Sequence, residues 1–241
     1  MNEHFERVDI EDPDLLSITR LRHIERYKLA SRFVQDQDVV LDIACGFGYG
    51  ALELSKKAKM VVGVDSDYDS VAESNKKYEH FGLYFINGTA ENLPFDNGVF
   101  DKVVCIETIE HIEKVESFLE SANKLLKSGG LLIVSTPHAN NTLSRDGVPF
   151  SEFHIREFKP DEIENLLSQY GFKLHKTYGQ YIILGSVMCL LGNRINPVSR
   201  VRAGRLQLII EEMPLFAYVF SRHYPFLRNT AKNVFYVAEK V

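Results

Sequence analysis

One feature restricts the fold of this chain more than any other: a glycine cluster set between a short apolar run and an amphipathic one. VVLDIA (39–44) enters Cys45-Gly46-Phe47-Gly48-Tyr49-Gly50, and ALELSKKA (51–58) resumes at helical spacing. A run that short and that apolar reads as a strand buried on both faces, the kind found in parallel sheets covered by helices. Glycines let the backbone turn sharply between strand and helix and let a ligand reach the main chain. The helix start adds unpaired N–H groups and partial positive charge.

The same alternation repeats along the chain. MVVGVD (60–65) precedes a helix over 69–81 with Asp67 or Asp69 as N-cap; LYFING (83–88) and DKVVCIE (101–107) are further strands. Val115, Phe118, Leu119, Ala122, Leu125 and Leu126 fall at helical spacing, and Gly129-Gly130 predicts the stop of that helix. LLIVST (131–136) ends at Pro137; DEIENLLSQYGF is a helix, KLHKTYGQYIIL (173–184) a sixth strand and NVFYVAEKV (233–241) a final one. Residues 15–35 read as an amphipathic helix ahead of the first strand. Strands alternating with helices mean βαβ units, an α/β fold with a parallel sheet.

At 241 residues the chain suits one domain, 1–241, with a helical segment at 1–36, a core at 37–180 and an appendage at 185–230 before the last strand. Usage is globular, 45% apolar and 25% charged. The net charge of −5 disfavours nucleic acid as a partner. Three cysteines (Cys45, Cys105, Cys189) make no disulfide framework, MNEHFERVDIEDPD resembles no signal peptide, and no stretch reaches the length of a spanning helix. A cytoplasmic protein is expected. Residues 181–241 carry +5, the rest −10.

Gly46, Gly48 and Ala51 satisfy the dinucleotide pattern G-x-G-x-x-G/A, which alone says little. Asp65, ending the second strand, can accept hydrogen bonds from both hydroxyls of a ribose, and both NAD and S-adenosylmethionine present one. Asp42 separates them: a pyrophosphate gains nothing from a carboxylate in the preceding strand, whereas a sulfonium with a free amino group does. An NAD(P)-dependent oxidoreductase would also be expected to carry a Tyr-x-x-x-Lys pair after the fourth or fifth strand, absent here.

VLDIACGFGYG, VGVDS, GTAENLPF, FDKVVCIETIEHI and LLKSGGLLIVSTP, in that order, resemble the class I S-adenosylmethionine-dependent methyltransferases over about residues 20–180. The resemblance implies a Rossmann-like, seven-stranded, mostly parallel sheet with a reversed last strand. It implies S-adenosylmethionine against Asp42, Ala44, Gly46, Gly48, Gly50 and Glu107, with Asp65 and Ser66 at the ribose. The adenine would lie near Thr89, Ala90 and Glu91; the family often has an acid where this chain has Thr89.

The acceptor end is expected beyond the fourth strand, at Glu107 and His111. Neutral His111 could take a hydroxyl proton near pH 7. Alternatively Glu107, Glu110 and His111 form Glu-x-x-Glu-His, a set suited to a divalent metal and similar to the motif of ubiquinone-biosynthesis O-methyltransferases. Phe153-His154-Ile155-Arg156-Glu157-Phe158 resembles a stretch common in methyltransferases of bacterial surface-glycan and sugar-modification pathways; His154 and Arg156 there, and His138 after Pro137, are acceptor-binding candidates, with Glu157 expected to pair with Arg156. His23 and the remaining histidines read as surface or helix-face residues.

The expected reaction is methyl transfer to a hydroxyl of a sugar or glycan-pathway small molecule bearing phosphate or nucleotide, with an amino sugar, an oxidoreductase and a non-catalytic cofactor-binding subunit as alternatives. The basic segment 185–230 is read as a helical insert: a lid using Arg200, Arg202 and Arg205, a homodimer surface, a membrane-surface element, or a solvated face over ordinary core.

Overall fold

The computed structural model describes residues 8–13, 17–78, 82–90, 93–142, 148–149, 151–181, 219–221 and 231–241. Helix α1 (Ser17–Ala30), closed by a 3-10 turn at Ser31–Phe33, precedes β1 (Val39–Ile43), α2 (Tyr49–Ser55), β2 (Met60–Asp65), α3 (Tyr68–Tyr78) and β3 (Leu83–Asn87). Then follow β4 (Phe100–Ile106), α4 (Val115–Leu125), β5 (Leu126–Pro137), the short α5 (Ala139–Thr142), α6 (Pro160–Gln169), β6 (Phe172–Tyr181), β7 (Val219–Ser221) and β8 (Asn233–Lys240).

The strands form one sheet in the order β3-β2-β1-β4-β5-β8-β6-β7. The first five neighbours pair in parallel, and β8 runs antiparallel to both β5 and β6. Its side chains alternate between two buried layers. Val40, Val61, Val104, Ile133 and Val237 pack with α1, α2 and α3; Leu41, Val103, Leu132, Tyr236 and Ala238 pack with α4 and α6. Fully burying such a side chain contributes about 1.5–3 kcal/mol. These two layers, more than helix propensity, hold short helices such as the eleven-residue α4 in place. Strand order reverses between β1 and β4, and the crevice outside their carboxyl ends is where open α/β sheets bind ligands.

The expected α/β sheet with its reversed last strand is present, and three local expectations change. Helix α4 stops at Leu125 and the chain enters β5 at once, five residues before the expected strand. Lys240 Nζ donates to the carbonyls of Asn123 and Leu126, 2.6 and 2.8 Å away, which closes the helix end that Gly129-Gly130 was expected to close. Those glycines instead carry a tight passage within β5: Gly129 has φ +73°, and a Cβ on Gly130 would sit 2.9 Å from the Lys127 carbonyl oxygen. Within the segment expected to be helical, Val219–Ser221 is a strand on the edge of β6; the rest of 182–230, including Arg200, Arg202 and Arg205, lies outside the described residues. Helix α1 ends at Ala30, short of the expected Gln35. Asp67 caps α3, accepting from the Ser70 amide at 3.0 Å. Among the described residues no helix is long and apolar enough to cross a membrane.

Gly63 shows how tightly β2 is packed. A Cβ there would lie 2.6 Å from the Phe85 ring and 2.8 Å from the Cys45 sulfur, both buried. Gly63→Ala is expected to cost about 1–3 kcal/mol in urea unfolding; an unchanged midpoint would mean that Phe85 swings aside freely.

Candidate active site

The carboxyl ends of β1, β2 and β4 open onto a cavity of about 330 Å3. Its walls include Ala44, Cys45 and Gly46 after β1, Asp65 and Ser66 after β2, Gly88, Thr89 and Ala90 after β3, and Glu107, Thr108 and His111 after β4. Of the expected cofactor residues, Ala44, Gly46, Asp65, Ser66, Thr89, Ala90 and Glu107 lie on this wall; Glu91 is outside the described residues.

The glycines divide by function. Gly46, at φ +52°, would place a Cβ into open space, so its backbone meets the cavity directly. Gly48 and Gly50 contribute no wall, contrary to expectation, because other rings lie against them. A Cβ on Gly48 would meet Phe85 at 2.8 Å, and one on Gly50 would meet the Tyr27 ring at 2.1 Å. Gly50 is small so that α1 can pack on α2.

Asp65 is a prepared acceptor. Its Oδ2 accepts from the Gly46 amide at 2.8 Å and its Oδ1 from the Asp67 amide at 2.9 Å. These bonds fix the carboxylate at the strand end, and each oxygen retains further acceptor capacity. Asn87 steadies the same turn, donating to the carbonyls of Asp65 and Ser66. Asp42 sits one layer deeper than expected, wholly buried behind the cavity wall. Its Oδ1 accepts from the Tyr27 hydroxyl at 3.2 Å, and among the described residues Oδ2 has no hydrogen-bond partner. Burial pushes its pKa up to about 8 against the opposing Tyr27 hydrogen bond, with Asp65's charge adding to the rise.

Helix α1 supplies a wall that the sequence reading missed. His23 and Tyr27 line the cavity beside Tyr49, whose hydroxyl is 3.0 Å from His23 Nδ1. Burial, then the charges of Arg26 and Arg22, hold the His23 pKa well below its usual range. The four-residue step from His23 to Tyr27, one helix face, was the available signal. Val8, from the short described stretch before α1, also touches the cavity.

Glu107 anchors the far wall. It stands at φ +51° with its amide donating to the Ser135 carbonyl at 3.0 Å. Its carboxylate accepts from Ser135 Oγ at 2.7 Å and from Asn233 Nδ2 at 2.6 Å, and pairs with Arg26 at 3.0 Å. Arg26 in turn donates to Gln180 Oε1 at 2.9 Å. Arg26, Gln180 and Asn233 are buried, and none was foreseen.

His111 lines the cavity, and its Nδ1 donates to the Phe153 carbonyl at 2.9 Å. In the neutral ring that leaves the lone pair on Nε2. The other acceptor candidates fare differently. His138 is completely buried; its amide donates to the Lys232 carbonyl and its Nδ1 accepts from the Asn140 amide, so it belongs to the packing behind β5. The Arg156 guanidinium lies 4.7 Å over the Phe158 ring and pairs with Glu162 at the start of α6, away from the cavity wall. Glu157 pairs instead with His154, 2.7 Å from its Nδ1. His154 is not on the wall, but its ring meets that of His111 edge to face, 4.9 Å between centroids.

The Glu107-Glu110-His111 metal set is not assembled, because Glu107 is occupied by Arg26, Ser135 and Asn233. Among the described residues, the grouping that could hold an ion is Glu110, His111 and His154. Burial, and then the Glu107 charge, hold Glu110 well above the usual carboxylate range.

Residues 41–134 match the family model of the methyltransferase domain. A Mycolicibacterium smegmatis protein described as "Probable S-adenosylmethionine-dependent methyltransferase" is 31% identical over 160 residues, covering 66% of this chain and 61% of that protein. The chain spans about three fifths of the length of this relative. The ubiquinone biosynthesis O-methyltransferase of Brucella anthropi is 26% identical over 204 residues, covering 71% of this chain and 81% of its own. A solved S-adenosylmethionine-dependent methyltransferase from Methanosarcina mazei shares the fold, with a TM-score of 0.59 at 17% identity over 88% of this chain and 97% of that one. Residues 41–134 thus match the methyltransferase-domain family, and the sheet that carries them has the fold of a solved methyltransferase.

Proposed function

We propose that this chain transfers a methyl group from S-adenosylmethionine to a hydroxyl of a small-molecule acceptor, a sugar or glycan-pathway intermediate, with His111 activating that hydroxyl. The observation that carries the reading is that His111 lines the same cavity as Asp65, Gly46 and Glu107.

Asp65, with both oxygens already set by backbone amides, suits the two hydroxyls of a ribose. Thr89 and Ala90 line the same cavity and suit the base. Tyr27, carried on the buried Asp42, lines the part of the cavity where the cationic methionine portion would lie, and Asp42's unpartnered oxygen suits a nearby cation. Bound there, S-adenosylmethionine supplies an electrophilic methyl carbon: the acceptor oxygen forms the new O–C bond as the C–S bond breaks, its electron pair staying on sulfur. Much of the rate comes from holding the two reactants in line. A hydroxyl also needs help with its proton, and Nε2 of His111, fixed by the Nδ1–H bond to Phe153, is the group suited to that. The sugar class rests on the resemblance of the Phe153–Phe158 stretch, and the choice of oxygen agrees with the Brucella relative being an O-methyltransferase.

Calorimetry with S-adenosylmethionine and a methyl-transfer assay over hydroxylated sugars test this directly. His111→Ala is expected to lower kcat/KM by about 10²–10⁴ while leaving cofactor affinity unchanged. A variant as fast as the parent, or a parent that binds no S-adenosylmethionine, would overturn the reading.

Asp42 gives a pH signature. Its folded pKa of about 8 lies above the ordinary 3.8, so stability gained by keeping it neutral is complete below about pH 4 and is lost as pH rises through 8. A bound cation favours the carboxylate, so binding releases a proton. Cofactor affinity should therefore tighten from pH 6 towards pH 8. Asp42→Asn should flatten that slope, and should raise the melting temperature of the ligand-free protein more at about pH 9 than at about pH 6.

A further inference from the structure

His111 and His154 come from separate stretches of chain that the backbone fastens together. The amides of Ile155 and Arg156 donate to the Glu110 carbonyl at 3.0 and 3.2 Å, and His111 Nδ1 donates to the Phe153 carbonyl. Three side chains converge at this seam. One ligating atom from each of Glu110, His111 and His154 lies within 4.8 Å of those of the other two.

Each side chain is also held from behind. His111 Nδ1 is bound to a carbonyl and His154 Nδ1 to the Glu157 carboxylate, which leaves Nε2 as the nitrogen bearing the lone pair in both neutral rings. Glu110 Oε2 accepts from the Thr136 hydroxyl at 3.0 Å. Imidazoles whose second nitrogen is tied to a carbonyl or a carboxylate, beside a carboxylate that is itself hydrogen-bonded, are the usual outer shell of a metal centre. Ligands about 2.0–2.2 Å from a tetrahedral ion lie about 3.3–3.6 Å apart, so the three side chains would draw together as they take up the ion.

We infer that Glu110, His111 and His154 form a three-ligand site for one divalent transition ion, its open position on the His111 side facing the cavity. Two imidazoles and one carboxylate select an ion of the Zn2+ class over Mg2+ or Ca2+. The purpose of the site, though not its existence, rests on the function proposed above. An acceptor hydroxyl at the open position would lose its proton to solvent water before its oxygen attacks the methyl carbon. The ion would then be the means by which His111 activates the hydroxyl.

The test uses the full chain, stripped with a chelator and titrated with Zn2+, then Co2+, then Mg2+. One Zn2+ per chain is expected, with visible Co2+ absorption and no matching Mg2+ uptake. His154→Ala should weaken Zn2+ binding at least tenfold, and Glu157→Gln about tenfold through the loosened ring; circular dichroism establishes that each variant is folded. Absence of stoichiometric Zn2+ binding, or unchanged binding in folded His154→Ala, overturns the site. The two readings separate cleanly. If His111→Ala abolishes transfer in a protein that binds no Zn2+, the ion falls and direct proton acceptance by His111 stands. If Zn2+ binds as expected and no hydroxyl is methylated, the site stands and the proposed function falls.

Discussion

The buried ion pair between Arg26 and Glu107 is the contact on which the arrangement of this site depends. Both side chains are nearly out of solvent, at 4% and 14% exposure, so their attraction is bought with a large loss of hydration. The surrounding bonds make it tolerable: Ser135 and Asn233 saturate the carboxylate, and Gln180 accepts from the guanidinium. Those five residues belong to α1, to the end of β4, and to β5, β6 and β8. One polar knot therefore holds the N-terminal helix against the middle and the far half of the sheet. Removing either charge would leave the other buried alone, at a cost of about 3–5 kcal/mol.

Around that knot the backbone is strained on both sides of the crevice. Ala44 at φ +57° follows β1 and Glu107 at φ +51° follows β4, and both line the cavity. A left-handed conformation costs a residue with a side chain about 1–2 kcal/mol. At Glu107 the amide bond to Ser135 and the carboxylate network overdetermine the turn. At Ala44 the neighbouring amide bond from Cys45 to the Val64 carbonyl holds the chain against β2. Strain at these two points directs both strand ends into one cavity.

What could be read in advance follows from sequence distance. Gly46, Asp65 and the Thr89-Ala90 pair belong to single βα units, where local spacing decides the geometry, and they line one cavity. Arg26, Gln180 and Asn233 could not be found that way: they lie far apart in the chain and meet only because β8 enters the sheet between β5 and β6. His138 and Arg156 sat in a segment with the right composition, but composition does not fix side-chain direction. A β-bridge to Phe158 turns His138 into the packing, and Phe158 and Glu162 draw Arg156 outward. For His23 the spacing to Tyr27 puts the two side chains on one helix face, but that face could be recognised as a cavity wall only once α1 is seen to cover the crevice.

The reversed strand β8 also orders events in time. It pairs Leu131 with Glu239, about a hundred residues apart, while β1 to β4 join through contacts of much shorter range. Loop-closure entropy delays such distant pairing, so the half of the sheet bearing the glycine turn and Asp65 can assemble first. Until β8 docks, Glu107 lacks Asn233 and its carboxylate stands beside a half-built wall. The side of the crevice built on Gly46 and Asp65 is thus an early product of folding and the side built on Glu107 a late one, and a chain stalled between them would carry half a cavity.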